Sequence, residues 1–396
     1  MRKLFLGLKI DSSYASLAFS SSLGNLERDV ELRLIERKEG NFEELDFDVL
    51  EKIKKEISEI EKATSSKVSK IYFCFPQPKV RKVKASYKKL IHPKHSLPLT
   101  ISSLTSSLKE AELLNLDWED FCLEAYPLEF RLDGKVFRNP PLGIYGRRLE
   151  IDVLFYVAKR TELLSLEKVF QYLERPYEEL ILSSLAEVSS LKKDALPKNF
   201  SLLNIGKNKL EFSYFRNFIL EDSFSIYKGG KFIDDRLSQE LGVSPELSEE
   251  IKLSYGSLAQ ADLEDSRVIT VKKVSKYREI KRATLNSMLL SCYQKILEEL
   301  RGILEKKDIL RKIESLIIIG GASKIKGFSE LAKRILSLPV NSPCFYSPLV
   351  DNKDSDKFCA SSGALKYPFS DFNIKNKYIQ NKGLLSKIRN FLEEYF

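Results

Sequence analysis

The first seventy-odd residues alternate between apolar and polar stretches in a regular way. Apolar runs at 4–8 and 14–19 flank a polar break and predict a β-hairpin, and the alternating stretch 30–36 predicts a third strand. The short apolar run 71–75 ends at prolines and predicts a buried strand. An apolar stripe at helical spacing predicts one helix before that strand: Val49, Leu50, Ile53, Ile57 and Ile60. Strands followed by a helix and another strand are typical of an α/β domain.

The pattern changes between residues 84 and 160. A loop of proline, histidine and lysine at 92–95 precedes a helix rich in leucine and serine. A turn at 133–134 and a long alternating strand at 147–158 follow. This segment predicts an inserted α+β subdomain. Two helices are then predicted between 163 and 191.

The second half repeats the order of strands and then helices. A strand is predicted at 200–205, and another at 316–319 is followed by two glycines and a helix at 329–336. Two similar α/β halves are what a duplicated fold gives. The predicted division is 1–83 and 161–196 for the first lobe core (with part of 345–370), 84–160 for the inserted subdomain, 197–230 and 281–344 for the second lobe core, and 231–280 for an outer second-lobe subdomain.

The end of the chain has a third kind of pattern. Residues 371–383 are polar and predict a linker, and 384–396 has the spacing of an amphipathic helix. Its apolar side and two of its basic residues form a predicted membrane-binding set: Leu384, Leu385, Lys387, Ile388, Arg389, Phe391, Leu392 and Tyr395. Such a helix binds the headgroup region of an anionic membrane. The alternative is a terminal helix packed on the protein's own body.

Composition narrows the class of protein. The chain has 396 residues, which is long for one core, and a net charge of +9, which implies an anionic partner. Membrane lipid and nucleic acid are both anionic, so the net charge alone does not choose between them. The apolar start is too short for a signal peptide, and no stretch approaches the roughly 18 apolar residues of a spanning helix. Five scattered cysteines without a paired spacing indicate reduced thiols. A cytosolic protein is therefore predicted.

Two further features have simple explanations. A cluster of basic residues between 79 and 89 is favoured as a solvated edge beside the inserted subdomain, because no nucleic-acid recognition motif accompanies it. We therefore predict no nucleic-acid partner. The only histidines, His92 and His95, have no further candidate ligands beside them, so no metal site is predicted.

Several strings resemble FtsA, a family of actin-like bacterial cell-division proteins. LEAYPLEFRLDG at 123–134, then Asn139-Pro140, and GIYGRRLE at 143–150 are similar to the string that marks the family's inserted subdomain. IIIGGASKIKGF at 317–328 is similar to the family's adenosine loop and following helix. YKGG at 227–230, IKLSYG at 251–256 and the terminal helix also fit in order, so the resemblance extends over essentially the whole chain.

The resemblance implies an actin-like fold of two duplicated ribonuclease-H-like lobes around a nucleotide cleft. It implies a scaffold that forms polymers on anionic lipid and tethers the C-terminal tail of FtsZ through the outer second lobe. Other division proteins would bind the inserted subdomain. The implied location is the cytoplasmic face of the inner membrane, at the division site.

The nucleotide cleft departs from the actin pattern. In the first hairpin Lys9 stands where the metal-side aspartate is expected, Asp11 stands where a glycine is expected, and Ser12 and Ser13 follow. The second hairpin keeps Gly206 but has Lys207 in place of a glycine and no acid. The remaining cleft positions are Gly229, Gly230, Gly320 and Gly321.

The actin pattern expects one acidic residue in each of the first two hairpins, where the pair positions Mg²⁺ and water. Without these two acids the chain lacks the metal site and most of the charge stabilisation of the transition state. No catalytic residue and no ATP hydrolysis are therefore predicted. Lys9, Lys207 and Lys209 leave weak, metal-independent binding of ATP open as an alternative. A pilus-assembly protein of the actin-like PilM type and a working actin-like ATPase are the other functions that stay open.

Overall fold

The structure, a computed structural model, describes residues 2–23, 30–37, 47–92, 95–273, 276–346, 349 and 352–373. Three sheets dominate it, two of five strands and one of four. The predicted linker from 374 onward and the predicted helix at 384–396 lie outside the described residues.

The first lobe is built from three separate stretches of chain. The first stretch forms β1 (Arg2–Ile10), β2 (Tyr14–Ser20), β3 (Val30–Glu36), α1 (Phe47–Thr64) and β4 (Ser66–Phe75). The predicted hairpin, third strand, helix and buried strand are all confirmed. Helix α1 buries the five apolar residues of its predicted stripe. At about 25 cal/mol per Å² of apolar surface, this face stabilises the helix far more than its propensity does.

The inserted segment forms its own antiparallel sheet. Its elements are β5 (Val80–Leu90), β6 (Leu97–Pro98), α2 (Ile101–Asn115), β7 (Asp120–Leu132), β8 (Lys135–Phe137), β9 (Tyr145–Gly146) and β10 (Arg148–Lys159). The order is β5-β10-β7-β8. The sheet already begins at Val80, four residues before the predicted boundary, because β5 is one continuous strand. Most basic side chains of β5 have carboxylate partners, such as Lys82 with Asp222 and Lys88 with Glu150.

The chain then returns to the first lobe through α3 (Arg160–Leu173), β11 (Tyr177–Leu182) and α4 (Ser183–Ser189). The two helices predicted between 163 and 191 are confirmed, but the sequence pattern does not predict the strand β11 that lies between them. β11 pairs in parallel with β4 at the edge of the sheet. The end of the strand is buried, so its short apolar run, Leu180 to Leu182, cannot be told from a helix segment by periodicity.

The second lobe contains most of the remaining elements. These are β12 (Asn199–Ile205), β13 (Leu210–Arg216), β14 (Ile219–Ile226), α5 (Gly230–Leu241), α6 (Pro245–Tyr255), β15 (Val268–Lys273), β16 (Lys276–Lys281), α7 (Arg282–Lys306), β17 (Ser315–Ile319), α8 (Phe328–Leu336) and β18 (Val340–Asn341). One apolar core joins the central sheet to α5, α6 and the β15–β16 hairpin. The outer subdomain therefore shares its core with the rest of the lobe.

The two five-stranded sheets have the same topology. The first has the order β3-β2-β1-β4-β11 and the second β14-β13-β12-β17-β18. In each, the first three strands form an antiparallel meander and the last two add in parallel to the first strand's other side. The predicted duplication is therefore present in the strand order itself.

The last described helix, α9 (Ser355–Lys366), packs into the first lobe at very short backbone distances. A Cβ atom on Gly7 of β1 would lie 1.9 Å from the carbonyl oxygen of Ser361. A Cβ atom on Gly363 would lie 1.7 Å from the carbonyl oxygen of Ala186 in α4. Only glycine at these two positions lets α9 lie between β1 and α4.

After α9 the chain crosses to the second lobe. The ring of Phe372 is 3% exposed and contacts the rings of Phe200, Phe215 and Phe218, with centroids 6.3, 5.8 and 6.0 Å away. The polar pattern predicts a linker that starts at Asp371. Phe372 and Asn373 are instead both buried and belong to the folded body.

Candidate functional site

The three predicted cleft loops lie at the facing ends of the two central sheets. The β1–β2 hairpin carries Asp11, Ser12 and Ser13, and the β12–β13 hairpin carries Gly206 and Lys207. The loop after β17 carries Gly320, whose φ is +97° and whose Cβ position lies 2.5 Å from both the Asn204 side-chain oxygen and the Ile205 carbonyl oxygen. The second and third loops are therefore in direct contact.

Lys9 is buried at the base of this cleft. The residue is 5% exposed, and its Nζ lies 3.1 Å from Oε1 of Glu187 and 3.6 Å from Oδ2 of Asp11. An ammonium without a partner at such a site costs several kcal/mol, so the two carboxylates are what make a buried Lys9 tolerable. Sequence reasoning placed Lys9 and Asp11 here but missed Glu187.

Asn204 extends this cluster into the second lobe. Its Nδ2 donates a hydrogen bond of 2.7 Å to Oε1 of Glu187, the same oxygen that accepts from Lys9. Lys9 and Glu187 belong to the first lobe, and Asn204 lies on β12 of the second. A continuous polar path therefore joins the lobes. We call Lys9, Asp11, Glu187 and Asn204 the cleft cluster.

The electrostatics of the cluster keep its lysine charged. Burial by itself lowers the pKa of Lys9, but the nearby Tyr14, Glu187 and Asp11 outweigh it, so its pKa lies well above the ordinary value. Burial raises the pKa of Asp11, but Lys9 and Lys209 outweigh that effect and lower the pKa below its ordinary value. A full positive charge therefore stays at the base of the cleft across the physiological range.

The backbone donors that would face a phosphate already have partners in the protein. At the start of α5, the N–H groups of Gly230 and Lys231 donate to the carbonyl oxygens of Gly206 and Lys207, at 3.0 and 2.7 Å. A Cβ on Gly229 would lie 2.5 Å from the carbonyl oxygen of Gly206, so this close contact requires glycine. The helix start, ordinarily an anion site, is closed by the second hairpin.

The first hairpin is closed in a similar way. The N–H of Ser12 donates to Oδ1 of Asp11 at 2.7 Å, and the N–H of Asp11 donates to the carbonyl oxygen of Tyr14. The Asp11 carboxylate thus takes the donor that a phosphate would need. Ser13 lies beside it in the same turn, where its carbonyl oxygen accepts from the N–H of Arg37.

The two lysines of the second hairpin also lie against acids. Nζ of Lys207 is 3.4 Å from Glu249, and Nζ of Lys209 is 2.8 Å from Glu211. The sequence treats these lysines as candidates for neutralising phosphate. Their positive charge is instead balanced within the protein.

The third loop closes the top of the cleft. The Oγ of Ser323 donates to the carbonyl oxygen of Gly320, and the hydroxyl of Tyr293 donates to that of Ala322 at 2.6 Å. Lys324 reaches the first lobe, with its Nζ 3.0 Å from Oδ2 of Asp356 on α9. Gly321 begins a single turn of 3₁₀ helix and has open space at its Cβ position.

A second buried ion pair lies behind this loop, and sequence reasoning missed it. Nζ of Lys252 is 2.6 Å from Oδ1 of Asp234, and the two residues are 6% and 3% exposed. The ammonium lies 3.6 Å from the Cβ position of Gly230. In the sequence both residues look like ordinary polar positions on α5 and α6, so only the packing of the two helices brings them together.

A metal-bound nucleotide, which the actin pattern implies, does not fit these residues. The two carboxylates nearest the first hairpin already hold the Lys9 ammonium, which would repel a divalent cation. Among the described residues, no three His, Cys, Asp or Glu side chains are grouped as metal ligands would be. The phosphate-facing N–H groups of α5 and Ser12 are also hydrogen-bonded within the protein.

Comparison with known proteins finds similarity to cell division proteins named FtsA. A family model described as cell division protein FtsA matches residues 201–363. Cell division protein FtsA of Streptococcus pneumoniae (strain D39) is 28% identical over 218 residues, which cover 54% of this chain and 47% of that protein. Cell division protein FtsA of Neisseria meningitidis (strain MC58) is 23% identical over 314 residues, 75% of this chain and 76% of that protein.

The resemblance to FtsA is confirmed. The aligned part spans about half of the Streptococcus protein and three quarters of the Neisseria protein. The aligned region of the family model includes the second and third cleft loops of this FtsA-like chain, with Asn204, Gly206 and Gly320.

Solved structures show the fold. The PilM–PilN type IV pilus biogenesis complex superposes with a TM-score of 0.59 at 15% identity, over 93% of this chain and 98% of that one. MreB5 of Spiroplasma citri bound to ADP superposes with a TM-score of 0.55 at 12% identity, over 96% and 99%. The fold of the FtsA-like chain is therefore actin-like, as predicted. No helix among the described residues is long and apolar enough to cross a membrane.

Proposed function

We propose that this FtsA-like chain is a scaffold of bacterial cell division that links FtsZ filaments to the inner membrane and does not hydrolyse ATP. The observation that carries the proposal is a cleft whose charges and donors are balanced internally, in a chain whose relatives are cell-division proteins. A scaffold needs a stable shape and docking surfaces, and it needs no turnover.

The absence of hydrolysis is inferred from charge. Phosphoryl transfer requires cations and donors that are aimed at the developing negative charge. In the cleft, Lys9, Lys207 and Lys209 each lie against carboxylates, and the Ser12 N–H is bonded to Asp11. A bound triphosphate would have to break these pairs before it gained any contact.

The outer face of the second lobe offers a surface for the FtsZ tail. Leu253 and Tyr255 at the end of α6 are 72% and 43% exposed, and Val268 on β15 is 49% exposed. Arg282 donates from Nε to the carbonyl oxygen of Tyr255, which keeps α6 and the start of α7 together. Exposed apolar side chains grouped in this way suit a short peptide with apolar residues. We call Leu253, Tyr255, Val268 and Arg282 the outer-lobe surface.

The membrane contact is assigned to the terminal segment on its sequence pattern. The apolar side of residues 384–396 is flanked by Lys387 and Arg389, and each basic residue near an anionic surface adds about 1 kcal/mol. One short helix binds weakly and reversibly. Several copies in a polymer would bind firmly, because the second attachment becomes intramolecular. The proposed location is the cytoplasmic face of the inner membrane at the division site.

The inserted subdomain supplies a separate surface for other division proteins. Leu113 and Leu114 at the end of α2 and Trp118 before β7 are all exposed. Large exposed apolar side chains in one short stretch are typical of a protein-binding site.

Reconstitution on vesicles tests the scaffold function. Full-length chain should pellet with anionic vesicles and carry a labelled FtsZ C-terminal tail peptide with it. A chain that ends at Gly383 should stay in solution and still bind the peptide, because the outer-lobe surface does not include the tail. Co-sedimentation and fluorescence anisotropy measure the two contacts separately, and salt should weaken only the first strongly.

Two matched variants separate the surfaces. Tyr255→Ser should pellet normally but weaken peptide binding about tenfold, a typical loss for an interface tyrosine. Tyr227→Ser removes an even more exposed tyrosine (75%) beside the Lys228–Glu299 pair, about 25 Å further along α7, and should change neither contact. A full-length chain that pellets but never binds the FtsZ peptide would favour a pilus-type role. Equal pelleting of the two chain lengths would contradict the lipid anchor.

Hydrolysis is measured directly. Phosphate release from ATP by the wild-type chain should equal the rate of ATP alone, with or without Mg²⁺. The reason is that the cleft cluster leaves no acid to position a metal and water. A second actin-like protein with known turnover serves as the positive control. Magnesium-dependent release comparable to that control would contradict this part of the proposal.

A further inference from the structure

The cleft cluster has carboxylates like those of a cation site, and the cation between them is the ammonium group of Lys9. Two carboxylates, from Asp11 and Glu187, lie 3.6 and 3.1 Å from one ammonium, and the amide N–H group of Asn204 donates to Glu187 from the second lobe. Carboxylate oxygens from Asp and Glu are ligands that hard divalent cations prefer. Here the two carboxylates lie against the tip of Lys9.

We propose that the Lys9 ammonium takes the place of a divalent metal ion and holds the two lobes together at the cleft without metal or nucleotide. This inference rests on the proposed non-hydrolysing function and deepens it. The ammonium orients Glu187, and Glu187 in turn accepts the hydrogen bond of Asn204 from β12. The positive charge that a bound metal ion would supply is instead supplied by the Lys9 side chain.

Burial and charge support a structural role for this lysine. Lys9 and Glu187 are 5% and 4% exposed, so the pair is not a surface contact that solvent would screen. The Asp11 carboxylate also fixes the hairpin tip through the N–H of Ser12 at 2.7 Å. The ammonium is therefore held by both the hairpin and α4, and it cannot leave without exposing the buried Glu187 and the partly buried Asp11 to each other.

The geometry makes a specific change possible. An aspartate is two heavy atoms shorter than a lysine along the side chain, so Lys9→Asp would open room for an ion at the position of Nζ. That ion would face three carboxylates, from residues 9, 11 and 187. We expect the variant to require a cation that the wild-type chain does not.

Thermal unfolding with Mg²⁺ alone tests the proposal. The wild-type chain should show the same Tm in MgCl₂ and in EDTA. Lys9→Asp should unfold at a lower temperature in EDTA, and its Tm should rise by about 3 °C at a magnesium concentration roughly 100 times its dissociation constant. Lys9→Asp with Glu187→Gln, which replaces one charged carboxylate ligand by a neutral amide, should lose most of that rise.

Two results would overturn the proposal: a wild-type Tm that rises with Mg²⁺, or a folded Lys9→Asp chain whose Tm ignores it. If Lys9→Asp does not fold, the milder Lys9→Asn decides by the same comparison, because its amide oxygen is also a ligand. The measurement contains no nucleotide. ATP hydrolysis by the wild-type chain would therefore contradict the proposed function, but it would not decide the result of this magnesium titration.

Discussion

Gly363→Ala should lower the free energy of unfolding by at least about 3 kcal/mol, beyond the usual range for overpacking. The added methyl group would lie 1.7 Å from the carbonyl oxygen of Ala186 and 2.7 Å from its carbonyl carbon. Both are backbone atoms, so no side-chain rotation relieves the clash. Helices α4 and α9 would have to separate, which disturbs the first lobe beside Glu187. Urea denaturation followed by circular dichroism measures the loss.

The chain provides a matched control in α7. Gly302 lies inside that helix, and apart from the nearby backbone of its own helix no atom lies within 4 Å of its Cβ position. Gly302→Ala should stabilise the protein by about 0.5–1 kcal/mol, because alanine loses less backbone entropy in a helix. If both glycine variants unfolded at the same urea concentration, the close approach of α4 and α9 would be wrong.

Lys252→Met should cost about 3–5 kcal/mol of unfolding free energy, the usual cost of removing one partner of a buried pair. Methionine keeps the apolar stem of lysine without its ammonium and leaves Asp234, 3% exposed, without the charged group at 2.6 Å. The Tm and the urea midpoint should both fall. Adding Asp234→Leu should recover most of the loss, because a buried apolar pair replaces an uncompensated charge.

The control for this variant is a surface pair of similar geometry. Lys312 and Asp308 lie 2.9 Å apart one turn from each other, and their side chains are 49% and 77% exposed. Lys312→Met should change the unfolding free energy by less than about 1 kcal/mol, because solvent screens the pair. A similar loss in both lysine variants would contradict a special role for burial at Lys252.

Local patterns carry much of this fold, and the exceptions have physical causes. The stripe of α1 and the hairpin of β1 and β2 depend on residues close in sequence, so their spacing alone predicts them. Strand β11 escapes that reasoning because its buried end is a three-residue apolar run between helices. Its identity is decided by parallel pairing with β4, a contact across more than a hundred residues.

In the cleft, too, features set by residues close in sequence are predictable, and features set by distant contacts are not. The unusual Lys9 and Asp11 are visible in the sequence because an expected glycine pattern places them. Glu187 is not, since a hairpin pattern gives no reason to search a later helix. One signal existed: Glu187 is the only charged residue between Leu180 and Leu191, a buried stretch in which an acid needs a partner. The partnership of Lys252 with Asp234 gave no signal, because it depends on how α5 and α6 pack.

The chain passes from the first lobe to the second at Phe372, and this path determines where a pulling force on its end would act. The ring is held among Phe200, Phe215 and Phe218 of the second lobe, while the preceding helix α9 is packed in the first. Tension applied to the chain beyond residue 373 would therefore reach the seam between the lobes before it reached either lobe alone. Such tension would load the same boundary between the lobes that the cleft cluster bridges.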